Sequence, residues 1–184
     1  MDLGVVLTFD EPLTKSFEGI WQSLAVRKLS TYHNRSDKFP HLTLGGNICE
    51  RPIQDINQDL ISLFNDVYQF DVAFDILDRF TNTDTVVLRP GEIETIQNLR
   101  QKIFANGDIL LPEQHPFIPH VTLMNHQGTT QTSLAMTYLV RQTYYLSGKV
   151  TAAKLIGLEK GMVKILGTYY FKNERNEIIK TLRR

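Results

Sequence analysis

The sequence predicts an α+β fold built by internal duplication, with two lobes facing one another. Three observations carry that expectation. The pentapeptide Pro40-His41-Leu42-Thr43-Leu44 returns as Pro119-His120-Val121-Thr122-Leu123. Around each copy the segments follow one order: helix, histidine strand, helix, strand, strand. Each half closes on two successive strand-like runs joined by a polar turn, the pattern of an antiparallel hairpin.

Taken in order, Leu3–Phe9 reads as a leading strand. Leu13, Phe17, Ile20, Trp21 and Leu24 keep helical spacing, with Glu11-Pro12 as the start. A polar loop from Ser30 to Phe39 leads to the first motif. Ile53, Ile56, Leu60, Leu63 and Phe64 mark a second amphipathic helix, with Pro52 placed in its first turn. Tyr68, Phe70, Val72, Phe74 and Ile76 alternate with polar residues as in a half-buried strand, and Thr85–Leu88 is its partner across the Asp78–Asp84 turn region. The second half repeats this. Ile93, Ile96, Leu99 and Ile103 predict a helix, and a loop holding Pro112, Pro116 and Pro119 enters the second motif. Thr130–Arg141 is a weaker helix, rich in β-branched threonine. Val150–Leu158 and Met162–Phe171 close the fold around Glu159-Lys160-Gly161.

The bulk composition sets limits. A chain of 184 residues can bury a substantial core as one domain of two joined lobes, approximately 1–90 and 91–184. Hydrophobic content of 42% with 22% charged residues is that of an ordinary soluble globular protein. One cysteine, Cys49, excludes an internal disulfide and a cysteine-based metal cluster. The start lacks the basic, long apolar pattern of a signal peptide, and no segment reaches the length of a membrane span. A cytoplasmic monomer with no membrane association and no obligate protein partner is the expectation. Formal charge is zero, but residues 148–184 hold nine Lys or Arg against three Glu, while 1–147 hold eleven against seventeen acidic residues. The basic end is either a solvated strand face with a frayed tail or a surface that steers a polyanion.

The motif itself carries chemistry. On a strand, residues two apart share a face, so His41 and Thr43 point one way and Leu42 and Leu44 the other. The same alternation sets His120 and Thr122 against Val121 and Leu123. A lone His-x-Thr triplet is ordinarily a surface or core-edge histidine. Two copies in register offer two imidazoles and two hydroxyls to one cleft. Phosphodiester cleavage asks for that set: a neutral histidine takes a proton from the nucleophile, and a protonated one gives a proton to the leaving oxygen. Threonine hydroxyls donate to non-bridging phosphate oxygens, where negative charge must be held. No metal and no cofactor are needed.

With these motifs, His41-Leu42-Thr43-Leu44 and His120-Val121-Thr122-Leu123, the chain resembles the two-histidine (2H) phosphoesterase superfamily, the group of the 2′-5′ RNA ligase-like proteins. The resemblance covers most of the chain, and both motifs are intact. It implies a bilobal α+β fold, two antiparallel sheets with flanking helices around a central cleft, each lobe giving one motif. It implies metal-independent phosphodiesterase activity on RNA or nucleotide 2′,3′-cyclic phosphates, with His41 and His120 as acid and base and Thr43 and Thr122 on the phosphate. Ligation of RNA ends is the reverse of the same chemistry. Which histidine is the base stays open. So do the alternatives: a phosphodiesterase on 2′-5′-linked or cyclic oligonucleotides, or a noncatalytic nucleotide- or RNA-binding module on the same scaffold.

Other candidates are weaker. His115 and His120 fall on opposite faces of a strand, and His120 and His126 would lie about 20 Å apart, so neither pair makes a compact metal site. His33 and His126 read as surface residues, with His126 near enough to the second motif to line the cleft. Gly45-Gly46-Asn47 reads as a turn, or as backbone open to a phosphate. Cys49 has no histidine near it in sequence and is not read as a nucleophile. Of Tyr169, Tyr170 and Phe171, one could stack on a base, but strand alternation assigns most of these rings to the core.

Overall fold

Local periodicity becomes structure almost where it is read. The computed structural model describes residues 2–31, 37–46, 51–105, 109, 116–142 and 144–173. His33, Asn47, Cys49, Pro112, His115 and the tail from 174 lie outside the described residues. The elements run β1 (Asp2–Phe9), α1 (Glu11–Val26), β2 (Leu42–Gly46), α2 (Ile53–Phe64), β3 (Phe70–Phe80), β4 (Thr85–Pro90), α3 (Glu94–Ala105), β5 (Val121–Met124), α4 (Thr129–Leu139), β6 (Leu146–Glu159) and β7 (Met162–Tyr170). After β1, the order helix, histidine strand, helix, strand, strand occurs twice.

Each element has a local reason. Asp10 caps α1, its carboxylate accepting from Leu13 N at 3.1 Å, and Leu13, Phe17, Ile20, Trp21 and Leu24 form the buried stripe. Pro52 stands one place earlier than expected, as the N-cap of α2 with extended ψ of 134°, not in its first turn. The threonine-rich α4 forms because Ala135 and Leu139 are buried and its hydroxyls are satisfied: Thr132 Oγ1 donates to Gly128 O at 2.9 Å and Ser133 Oγ to Thr129 O at 2.9 Å. Between β6 and β7, Lys160 and Gly161 both take positive φ, 52° and 77°, as a tight two-residue hairpin requires.

The sheet departs from expectation. In place of two antiparallel sheets, the strands form one seven-stranded sheet in the order β2-β1-β6-β3-β4-β5, with β7 also paired to β6. All six strand pairings are antiparallel. The cause is the length of β6, 14 residues. Its residues 150–158 pair with β1 on one edge. Along its other edge 146–150 pair with β3 and 152–159 with β7. One strand therefore belongs to both halves.

Two docking details hold α1 on this strand. The Asp10 carboxylate also accepts from Lys149 N at 3.0 Å. At Gly148 a Cβ would lie 2.7 Å from both Leu13 Cβ and Asp10 Oδ1, so only glycine admits the helix this close. The core is one cluster drawn from both halves, including Leu7, Phe17, Leu44, Phe74, Leu88, Val121, Leu123 and Leu155. Phe17 and Phe74 meet edge-to-face at 5.1 Å within it. Among the described residues, no helix is long and apolar enough to cross a membrane.

Candidate active site

The two histidines stand immediately before the two outermost strands of the path, His41 before β2 and His120 before β5. The alternation read from the motif is present. Leu42, Leu44, Val121 and Leu123 are buried. Thr43 is exposed, and His41, His120 and Thr122 are half-buried.

Each imidazole is held in the same way. His41 Nδ1 lies 2.8 Å from the carbonyl of Phe39, and His120 Nδ1 lies 2.7 Å from that of Ile118. A carbonyl only accepts, so each Nδ1 carries the proton it donates, and each Nε2 is left for proton transfer. An aromatic ring steadies each: Phe39 at 5.2 Å from the His41 ring, Phe80 at 5.0 Å and edge-on to His120.

The motifs meet crosswise. His41 and Thr122 line a cavity of about 210 Å³ together with Trp21, Lys38, Phe39 and Asn125. Thr43 and His120 line a second, of about 400 Å³, with Phe80, Asn82, Thr83 and Phe117. The sheet thus folds round far enough for its two end strands to face each other. His120 is among the charges that lower the His41 pKa.

Burial is the largest cause lowering the pKa of both histidines below the ordinary value, opposed in each by the hydrogen bond to the carbonyl. Nearby cations add to it: Lys38 and Lys154 for His41, Arg89 for His120. Arg89 Nη1 is itself 2.6 Å from Asp78 Oδ2. Lys154, with its own pKa lowered by burial, places Nζ 4.8 Å from the centre of the Phe39 ring.

Two helices from opposite halves clamp the outer strands. Trp21 Nε1 of α1 donates to Thr122 O at 3.1 Å, and Arg100 Nε of α3 donates to Leu44 O at 2.9 Å. These backbone acceptors lie within three residues of the histidines.

Several weaker candidates resolve differently. His126 is exposed with φ 53° and lines neither cavity; its neighbour Asn125 lines the first, with Oδ1 buried and unpaired. Gly45 and Gly46 do not form a turn but continue β2 opposite Val5 and Gly4. Tyr169 and Phe171 are buried in the core and Tyr170 is exposed. Among the described residues no group of three His, Cys, Asp or Glu side chains converges as a metal-ligand set. Sequence reasoning missed Phe39, Lys154, Phe80, Arg89, Trp21 and Asn125. Only Phe39, two residues before His41, carried a local signal.

Comparison with known proteins gives the family and the fold. The family model described as the 2′-5′ RNA ligase superfamily matches residues 12–161. No curated protein matches the sequence. Among solved structures, TT0787 of Thermus thermophilus is similar with a TM-score of 0.62 at 17% identity, over 95% of this chain and 100% of that one. E. coli LigT complexed with 3′-AMP is similar with a TM-score of 0.58 at 18% identity, over 94% and 99%. LigT complexed with phosphate gives 0.61 at 14%, over 92% and 96%. These identities are low enough that the likeness speaks for the fold.

Proposed function

Because the chain belongs to the 2′-5′ RNA ligase superfamily, within the 2H phosphoesterases, we propose that it is a metal-independent phosphodiesterase opening RNA or nucleotide 2′,3′-cyclic phosphates by two-histidine acid–base catalysis. The observation that carries this is the crosswise meeting of the motifs, His41 with Thr122 and His120 with Thr43. A phosphate between the end strands then has a proton-transfer nitrogen on each side and a hydroxyl donor from each motif.

In the reaction a water oxygen forms a bond to phosphorus while one imidazole Nε2 removes its proton. The bond from phosphorus to one ribose oxygen breaks, and the other imidazole protonates that oxygen. Thr43 and Thr122 donate to the non-bridging oxygens as their charge grows. We assign His41 as the base, because burial and the charges of Lys38, His120 and Lys154 all favour its neutral form. His120, whose pKa is lowered by burial and by one neighbouring charge, Arg89, against three for His41, is the acid. With an RNA hydroxyl in place of water as the nucleophile, the same opening of the cyclic phosphate would join two RNA ends, the base taking the hydroxyl proton and the acid protonating the ribose oxygen that leaves. E. coli LigT is recorded with 3′-AMP and with phosphate, which is consistent with a nucleotide substrate here.

The same reading takes the chain as one domain of two duplicated lobes, acting as a cytoplasmic monomer. The twice-repeated element order and the single shared core support the first part.

The test is turnover of a panel of 2′,3′-cyclic phosphates and 2′-5′-linked substrates in EDTA, for wild type, His41→Ala and His120→Ala. Each substitution is expected to lower turnover by about 10²–10⁴. A substrate with an acidic leaving group should largely rescue His120→Ala and leave His41→Ala inactive. Activity surviving both substitutions sinks the acid–base assignment.

A further inference from the structure

The four groups placed on the scissile phosphate, His41, Thr43, His120 and Thr122, include no fixed positive charge. Lys154 supplies one nearby. Val6 pairs with Thr43 on one side and with Lys154 on the other, so the three side chains stand in a row on one face of the sheet. Two strand spacings, about 10 Å, separate the Thr43 and Lys154 backbones, a gap that a lysine stem and a phosphate together can span. The Lys154 ammonium lies over Phe39, whose ring in turn lies beside His41.

The charge is left over. Lys149, Lys164, Lys172, Arg79 and Arg89 each hold an Asp or Glu, whereas no carboxylate neutralises Lys154 among the described residues. In the other half, the place corresponding to Lys154 through the pairing of Val87 with Thr122 is Asp78, already engaged by Arg89. The Lys154 ammonium therefore stands on the His41 side, where Lys38 also lines the cavity. Taking an ammonium partly out of water costs hydration that a phenyl face returns only in part; an anion returns the rest.

We propose that Lys154 binds a second phosphate of the substrate, one nucleotide away from the scissile one, so that the favoured substrate is an RNA strand ending in a 2′,3′-cyclic phosphate and not a mononucleotide. This rests on the phosphodiesterase reading above and gives it a substrate length. The neutral motif groups do the chemistry, and Lys154 fixes which phosphate enters.

The experiment compares adenosine 2′,3′-cyclic phosphate, with one phosphate, and the diadenylate ending in a 2′,3′-cyclic phosphate, with two. Lys154→Met should raise KM for the diadenylate about tenfold more than KM for the mononucleotide, any change that acts through the charge felt by His41 being common to both substrates. Lys154→Arg should restore the diadenylate KM. The dependence of log kcat/KM on log salt for the diadenylate should become shallower by about 0.7 in Lys154→Met, the loss of one single-strand phosphate contact. Equal effects on both substrates, no effect on either, or an effect confined to kcat overturns this inference alone. Failure of the wild-type chain to cleave either substrate overturns the phosphodiesterase reading and this inference with it.

Discussion

At the scale of single residues, each imidazole has one nitrogen committed before any substrate arrives. The Phe39 and Ile118 carbonyls take the Nδ1 protons, so both rings present Nε2 in a fixed direction. The consequence is a pH profile with a definite sign. Catalysis needs one histidine neutral and one protonated, and burial lowers both pKa values in the free protein. As pH rises, the acid loses its proton below the ordinary value of about 6.5, so kcat/KM should peak on the acidic side of neutrality and fall through pH 7. A bound phosphodiester anion favours imidazolium, so the kcat optimum should lie at higher pH than that of kcat/KM. The two profiles, measured on one cyclic phosphate, check this; a kcat/KM optimum above about pH 7.5 contradicts it.

The histidines and threonines were legible because residues i and i+2 of one strand share a face whatever lies elsewhere. Lys154 and Arg89 were not. Their place beside the site follows from pairing between segments far apart in the chain, Val6 with Lys154 and Val87 with Asp78, which no local period encodes. Phe80 reaches His120 for the same reason.

At the scale of elements, the outer strands depend on helices from the opposite half. The strand β5 spans four residues, pairs only with β4 among the described residues, and is clamped on its backbone by Trp21 of α1. Trp21→Phe keeps most of the aromatic volume and removes the bond from Trp21 Nε1 to the Thr122 carbonyl. We expect a stability loss of about 1 kcal/mol in urea unfolding, near the net worth of one hydrogen bond. Turnover should fall as well, because the freed strand carries His120 and Thr122; a variant with full activity would show that the clamp does not position them. The elements themselves were legible, since periods of 3.6 and 2 are local properties. Errors fell where context overrides local preference: Gly45 and Gly46 read as a turn but continue β2 beside β1, and Pro52 moved to a cap.

At the scale of the whole molecule, the repeated element order lies within a single sheet. The expected halves, 1–90 and 91–184, cut across the sheet, because β1 lies between β2 and β6, and β3 lies between β4 and β6. A fragment 1–90 would leave one edge of β1 and one edge of β3 unpaired along the whole length that β6 covers. It would also expose apolar residues that now share a core with Val121, Leu123, Val150 and Leu155. The fragment 91–184 would keep the β6–β7 hairpin without the strands that flank it, and an isolated hairpin is marginal in water. Each fragment alone should therefore lack a cooperative thermal transition by circular dichroism. The intact chain should unfold in one transition, with coincident curves from backbone and tryptophan signals. The shared strand makes the same demand of function: the end strands face each other only when β6 joins the halves. Mixing the fragments should restore cyclic-phosphate turnover only to the extent that it restores the transition. Independent melting of either fragment, or two transitions in the intact chain, would show that the shared strand does not bind the halves into one folding unit.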